Sequence, residues 1–257
     1  MRVKPLQWRA MTDGGDVLSD SVQDSWFEVL ERAIYVPSAD TLVLADLHLG
    51  RAAASRVEAP IDDSGDVRDR LSTLVATTAP ETVVVAGDLL HSFSSVPRGV
   101  DWHVTQLERS IHEAGAELIV TPGNHDSMLE AVYDGPTADT HLLGDGKTAV
   151  CHGHEMPSLE GRAAGIERVV VGHDHPAISI GGRKLPCVLY ASDHWRGCDV
   201  AMVPAFTESA AGVTINRLRG AALQSPVIRD VGACRPIVHE EDGALWFPPL
   251  EACRSLL

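Results

Sequence analysis

Residues 82–88, Thr-Val-Val-Val-Ala-Gly-Asp, decide the fold. Four apolar residues in a row, closed by glycine, are too few for a helix and apolar on both faces, as in a strand covered on both sides. The acid follows directly where the strand ends. The same grammar recurs along the chain: Leu42-Val-Leu-Ala45 runs into Asp46-Leu-His48, and Leu118-Ile-Val-Thr121 into Gly123-Asn-His-Asp126. Ala149-Val-Cys151 leads to His152-Gly-His154, and Val169-Val-Val171 to Gly172-His-Asp-His175. Ligands of α/β sheets bind at the carboxyl ends of strands, so these five motifs are expected to meet at one sheet edge.

Helical periodicity fills the gaps between the strands. Val67–Thr78 places Leu71, Leu74 and Val75 on one face and is stopped by Pro80; Val100–Ala114 carries Trp102, Leu107 and Ile111, read as core-facing. Ser127–Tyr133 reads as a short helix, and Trp26–Val36 and Thr41–Ala45 as two strands around the turn Pro37-Ser-Ala-Asp40. Met11–Gln23, rich in Gly, Asp and Ser, reads as loop or disorder. The expected division is therefore an N-terminal loop segment, 1–24, and a single domain, 25–257. After residue 175 short apolar segments (187–191, 200–203, 213–215, 226–231, 236–239) read as strands that extend a sheet.

Composition sets limits. Apolar residues make up 44% and charged residues 22% of the 257 residues, which is ordinary for a globular chain. The net charge of −15 is not ordinary, with lysine reduced to Lys4, Lys147 and Lys184. It reads either as a halophile signature or as an acidic cytosolic protein, and gives no broad basic footprint for nucleic acid. A local basic patch stays open. Five cysteines without a C-x-x-C pair argue against a disulfide framework or a structural zinc site. With no apolar leader and no membrane-length run, the cytoplasm is the expected location and no membrane partner is expected.

The residue types after the strands are those of a metal centre. Carboxylate and amide oxygens mixed with imidazole suit Mn²⁺, Fe²⁺ or Zn²⁺ and require no thiolate. Glycines in Gly87-Asp88, Gly123-Asn124 and Gly172-His173 allow the backbone to approach closely and to take unusual φ/ψ values.

The order D-x-H, G-D, G-N-H-D, H-G-H, G-H-x-H, from Asp46 to His175, resembles the calcineurin-like metallophosphoesterase superfamily. Details such as Ala45–Arg51, Gly87–Ser92, Leu185-Pro-Cys187 and Val203-Pro-Ala-Phe206 with Gly212 resemble its DNA ligase-associated and archaeal single-domain branch. The resemblance implies a four-layer α/β/β/α sandwich of two mixed sheets. It implies two divalent ions, Mn²⁺ first, with Fe²⁺, Zn²⁺ or Ni²⁺ as alternatives. Asp46, His48 and His175 would hold one ion, Asn124, His152 and His173 the other, and Asp88 would bridge them. It further implies in-line attack by a metal-bridging hydroxide, with His125 as general acid and Asp126 or Asp46 orienting its ring.

The expected activity is a phosphodiesterase acting on nucleotides or nucleic-acid ends, with a functional link to DNA ligase or helicase. A DNA repair nuclease and a metal-free scaffold of the same fold are the rivals. Arg51 (substrate phosphate or a surface salt bridge), His91 (orienting a ligand or lining the pocket) and His154 (substrate contact or packing behind His152) complete the candidates. Asp193-His-Trp195 reads as loop.

Overall fold

The computed structural model describes residues 25–51, 64–91, 95–159, 165–218 and 223–254. The expectation for residues 1–24 lies outside them. The first strands are β1 (Glu28–Leu30), β2 (Ala33–Val36), β3 (Thr41–Leu44), β4 (Thr82–Val85) and β5 (Glu117–Val120). Between β3 and β4 lies α1 (Ser64–Thr78), and between β4 and β5 lies α2 (Val100–Glu113). Then follow β6 (His141–Leu142), β7 (Thr148–Val150), β8 (Arg168–Val171), β9 (Pro176–Ile180), β10 (Arg183–Pro186), β11 (Val188–Trp195) and β12 (Cys198–Met202). The last elements are β13 (Val213–Thr214), β14 (Arg235–Glu240), β15 (Gly243–Trp246) and α3 (Leu250–Cys253).

Two mixed sheets face each other. The first has the order β1-β2-β3-β4-β5, with β3, β4 and β5 parallel. The second has the order β15-β14-β11-β12-β8-β7-β6, with β7, β8 and β12 parallel. Alternation along β3 and β4 explains the layering. Leu42, Leu44, Val83 and Val85 pack against Leu71, Val104, Leu107 and Ile111 of α1 and α2. Val43, Ala45, Val84 and Ala86 point the other way, onto Val150, Val170, Ala201 and Val203 of the second sheet. Both faces are dry, and each fully buried valine contributes on the order of 1.5–3 kcal/mol.

The outer face of the second sheet is covered by α3, by a three-stranded sheet of order β10-β9-β13, and by Val227, Ile228 and Val231. These three side chains are buried, but residues 226–231 form no strand, which corrects the sequence expectation. Their apolar character reflects covering rather than pairing. The C-terminal strands β11, β12, β14 and β15 do join the second sheet.

Four further expectations are corrected. Trp26–Val36 is not one strand but a hairpin, broken at Arg32, which takes φ 56° without the glycine that usually signals such a turn. Trp102 does not face the core: it is 53% exposed, while Val100, Val104, Leu107 and Ile111 form the buried stripe of α2. Asp193-His-Trp195 ends strand β11, at a register shift, and His194 Nε2 accepts from the Arg229 amide at 3.1 Å. The helix expected at 127–133 is a single 3₁₀ turn, Leu129–Ala131.

Candidate metal centre

The loops after the strands are zipped together by their backbones. Asp46 N donates to Gly87 O and His48 N to Asp88 O, each at 2.9 Å, and Leu49 N to Leu89 O at 2.9 Å. On the other sheet Gly172 N donates to His152 O at 2.9 Å, and Phe206 N reaches across to Ala45 O at 2.8 Å. These bonds continue the parallel ladders past the sheet edge and bring the five motifs to one place.

Glycine makes the convergence physically possible. A Cβ on Gly87 would strike the His152 ring, one on Gly123 would strike Asp88, and one on Gly172 would strike Ala45 and Asp46. The left-handed backbone is carried by the ligand candidates themselves: Asp46 (φ 57°), His48 (48°), Asp88 (51°), His173 (77°) and His175 (49°). Non-glycine residues in this region cost of order 1–3 kcal/mol each, and such strain gathers at functional sites. No sequence pattern announced it.

Two side-chain clusters flank one carboxylate. In the first, His175 Nε2 lies 3.1 Å from Asp46 Oδ1 and 3.3 Å from His48 Nε2. In the second, His152 Nε2 lies 3.1 Å from both Asn124 Oδ1 and His173 Nδ1. Asp88 stands between them, its Oδ2 at 3.9 Å from His48 Nε2, 3.5 Å from His152 Nε2 and 4.0 Å from His125 Nε2. Those separations are too long for hydrogen bonds. Its other oxygen, Oδ1, accepts from the His125 amide at 2.9 Å.

His152 tests whether a cation fits here. Its Nδ1 faces the carbonyl of Ala86 at 3.0 Å, and since a carbonyl can only accept, that nitrogen carries the proton. Burial pushes the ring down to about 4, so at neutral pH it is uncharged. Nε2 therefore presents a lone pair, and it is aimed at two other acceptors, Asn124 Oδ1 and Asp88 Oδ2. Without an ion this lone pair is answered by a His173 Nδ1–H at 3.1 Å, and Asp88 is driven toward its protonated form. A positive ion among Nε2, Asn124 Oδ1 and Asp88 Oδ2 would accept all three lone pairs, so the residues present fit a divalent metal. The triads Asp46–His48–His175, Asp46–Asp88–His152 and His48–His91–His125 could each hold one.

The same logic governs the other titrating groups. Burial, and then the neighbouring charge of Asp46, raise Asp88 to about 8. Burial lowers His48 to about 3 and His125 to about 4, the latter helped by His91. Burial pushes the Asp46 carboxyl upward, yet the hydrogen bond and charge of His175, with His152 and His48, outweigh it and leave it below its usual value. Without a cation the site keeps Asp46 ionised but pushes Asp88 toward its neutral acid form, and a bound cation would let both carboxylates ionise.

The remaining candidates divide. His91 enters the site: its Nδ1 is 3.3 Å from His48 Nδ1, and its ring stacks on His125 with centroids 5.3 Å apart. Arg51 lines the same cleft, of about 330 Å³, together with His48, Asp88, His91 and His125. His154 lies behind the second cluster, its ring 5.2 Å from that of His152, along an adjoining cavity. Asp126 is corrected as an orienter of His125. Both its oxygens accept backbone amides, from Leu90 at 2.8 Å, Gly123 at 2.9 Å and Leu89 at 3.2 Å. It clamps the loop after β5 onto the loop after β4. Asp174, passed over in the sequence, does the same for residues 224 and 225, whose amides it accepts at 2.8 and 2.9 Å.

This arrangement has counterparts. Residues 40–161 match the calcineurin-like phosphoesterase family. The donor set above is suited to the metal-dependent phosphoester hydrolysis that such a family match implies. Among solved structures, a nuclease MPE of Pseudomonas putida shares the fold with TM-score 0.58 at 22% identity, covering 84% of this chain and 92% of that one. Yfce, a phosphoesterase from E. coli, aligns with TM-score 0.38 at 16% identity over 79% of this chain and 88% of that one. No curated protein matches the chain. No helix among the described residues is long and apolar enough to cross a membrane.

Proposed function

We propose that the chain is a dinuclear metal-dependent phosphodiesterase that cleaves phosphodiester bonds of nucleotides or nucleic-acid ends. The observation that carries it is the convergence of the His152 lone pair, Asn124 Oδ1 and Asp88 Oδ2. In this reading Asp46, His48 and His175 hold one ion, Asn124, His152 and His173 hold the other, and Asp88 serves both. Bound divalent ions supply Lewis-acid activation of water and neutralise charge on the phosphoryl oxygens.

The chain's own residues do the rest. Asp88 is fixed by the His125 amide, and His152 by the Ala86 carbonyl, so neither has to reorganise during turnover. His125, 22% exposed at its side chain, reaches the cleft and presents a ring N–H to the leaving oxygen. An anionic phosphoryl group beside it raises its proton affinity from the low value of the bare site, which favours proton donation. Arg51 and His91 offer donors to the non-bridging oxygens.

The choice of a diester rests on the resemblance to the ligase-associated branch, and a nuclease of the same fold makes DNA ends natural first substrates. A link to DNA ligase or helicase has the resemblance alone behind it. Five unpaired thiols fit a reducing compartment, the cytoplasm. The metal-free scaffold is disfavoured because all seven ligand candidates converge. Metal-stripped protein reloaded with Mn²⁺, Fe²⁺, Zn²⁺ or Ni²⁺ in turn is assayed on bis-p-nitrophenyl phosphate and p-nitrophenyl phosphate. Faster diester cleavage is expected; cleavage of the monoester alone contradicts the diesterase reading.

A further inference from the structure

Another cavity, of about 190 Å³, adjoins the catalytic cleft. The two share His175 and Gly212 as a common wall. The cavity's other walls include Leu185-Pro-Cys187 and Val203-Pro-Ala-Phe206, through Pro186, Pro204 and Ala205. These are sequence motifs that the metal centre leaves without a role. They meet here because β9 leaves the site directly after His175 and turns back as β10, and because Phe206 N bonds Ala45 O.

The charges in this cavity run against those of the molecule. Arg32 and Lys184 both line it, in a chain of net charge −15 with three lysines. The acid present, Glu208, is held by Arg70 at 2.6 Å, which also bonds Phe206 O. Arg32 donates to the carbonyls of Ala205 and Thr207 at 3.0 and 3.3 Å, which fixes its guanidinium at the rim. Lys184 is exposed, and its ammonium donates to Gly212 O, leaving further N–H donors on the same group. A positive cavity within an acidic protein, one wall away from the metal centre, selects anions at that place.

We infer that this cavity is a phosphate subsite, taking the backbone phosphate next to the scissile one in an oligonucleotide. Lys184 is its principal contact, and Arg32 shapes the rim. The inference rests on the proposed diesterase reading and deepens it: the substrate is a strand of more than one phosphate rather than a simple diester. Loss of one phosphate contact lowers the salt slope of single-strand binding by about 0.7.

The test uses the full chain in two assays. Binding of a fluorescent single-stranded oligonucleotide is followed by anisotropy in EDTA across a salt series, so that no cleavage intervenes. Hydrolysis of the oligonucleotide and of bis-p-nitrophenyl phosphate is then measured with metal. Lys184→Gln is expected to weaken oligonucleotide binding about five- to tenfold and flatten the salt slope by about 0.7. It should lower kcat/KM for the oligonucleotide several-fold more than for the small diester. Lys184→Arg should restore binding, and Lys147→Gln, which removes an equal charge at the Glu167 pair, should bind as wild type. Wild-type affinity and slope in Lys184→Gln, equal losses on both substrates, or a wild type that binds no oligonucleotide each overturn the subsite. The diesterase reading fails separately, if wild type hydrolyses neither diester with any metal.

Discussion

Between Thr41 and His175 each buried strand hands its following loop to the same edge, and the reactive residues arrive in chain order. From Pro176 to Cys253 the chain instead doubles back through β9 to β15, closes the second sheet and covers its outer face. The first region is repetitive because parallel strands need crossovers, and every crossover returns to the same end. The second is irregular because its antiparallel strands are joined by short turns such as Gly181-Gly182. The lesson is that the first region carries the ligands, while the second holds them in place through particular bonds: Asp174 to residues 224 and 225, Val213 N to His175 O, and Phe206 N to Ala45 O.

Breaking the first region should produce the largest effects. Asp88→Asn removes the carboxylate shared by both clusters, and turnover should fall by more than the roughly 10²–10⁴-fold that one proton-transfer group supplies. Wild-type kcat with metals bound contradicts the bridging role. His125→Ala should retain metal, measured by elemental analysis, while cleavage slows about 100-fold, most of all for poor leaving groups. An equal loss for good and poor leaving groups speaks against proton donation.

The contacts by which the second region is held to the first should answer in stability. Asp174→Ala leaves two amides without their acceptor, and unfolding should lose about 1–3 kcal/mol, read from urea midpoints. An unchanged midpoint would show that the covering segment is held by its apolar residues alone.

The smallest effect is on pH dependence. In metal-free protein His48, His125 and His152 have native values of about 3, 4 and 4, below the unfolded value near 6.5. Their contribution is therefore present above pH 6.5 and lost as pH falls through that value toward 4, because the unfolded chain takes up protons that the folded one refuses. Asp88, raised to about 8, acts in the opposite sense and lowers stability as pH rises from about 4 toward 8. Burial lowers His91 and His173 as well and raises Asp126, so histidines still outnumber carboxyls and the melting temperature of metal-free protein should drop below pH 6.5. A flat profile from pH 7 to 4 contradicts the buried, neutral imidazoles.

Much of this is legible in the sequence. Val83-Val-Val85 and Val169-Val-Val171 announced doubly covered strands because every side chain was apolar, and the acids and imidazoles after them marked the edge. Other features were hidden for identifiable reasons. Arg32 turns the first hairpin with a left-handed backbone that no glycine advertises. Val227, Ile228 and Val231 look like a strand because burial, not pairing, selects them. Trp102 sits where a loose reading of helix periodicity puts the core, yet Val100 and Val104 hold that stripe. Asp126, which reads as an orienter of His125, and Asp174, to which the sequence assigns no role, lie inside the motifs, and their oxygens serve backbone amides.

Titration calorimetry of metal-stripped protein with Mn²⁺ tests the central claim most directly. The account predicts two ions bound per chain, a rise in melting temperature of roughly 10–20 °C with both sites at a hundredfold excess over Kd, and weakened binding of both ions in Asp88→Asn. No binding, or binding of both ions that Asp88→Asn leaves at wild-type affinity, would contradict it.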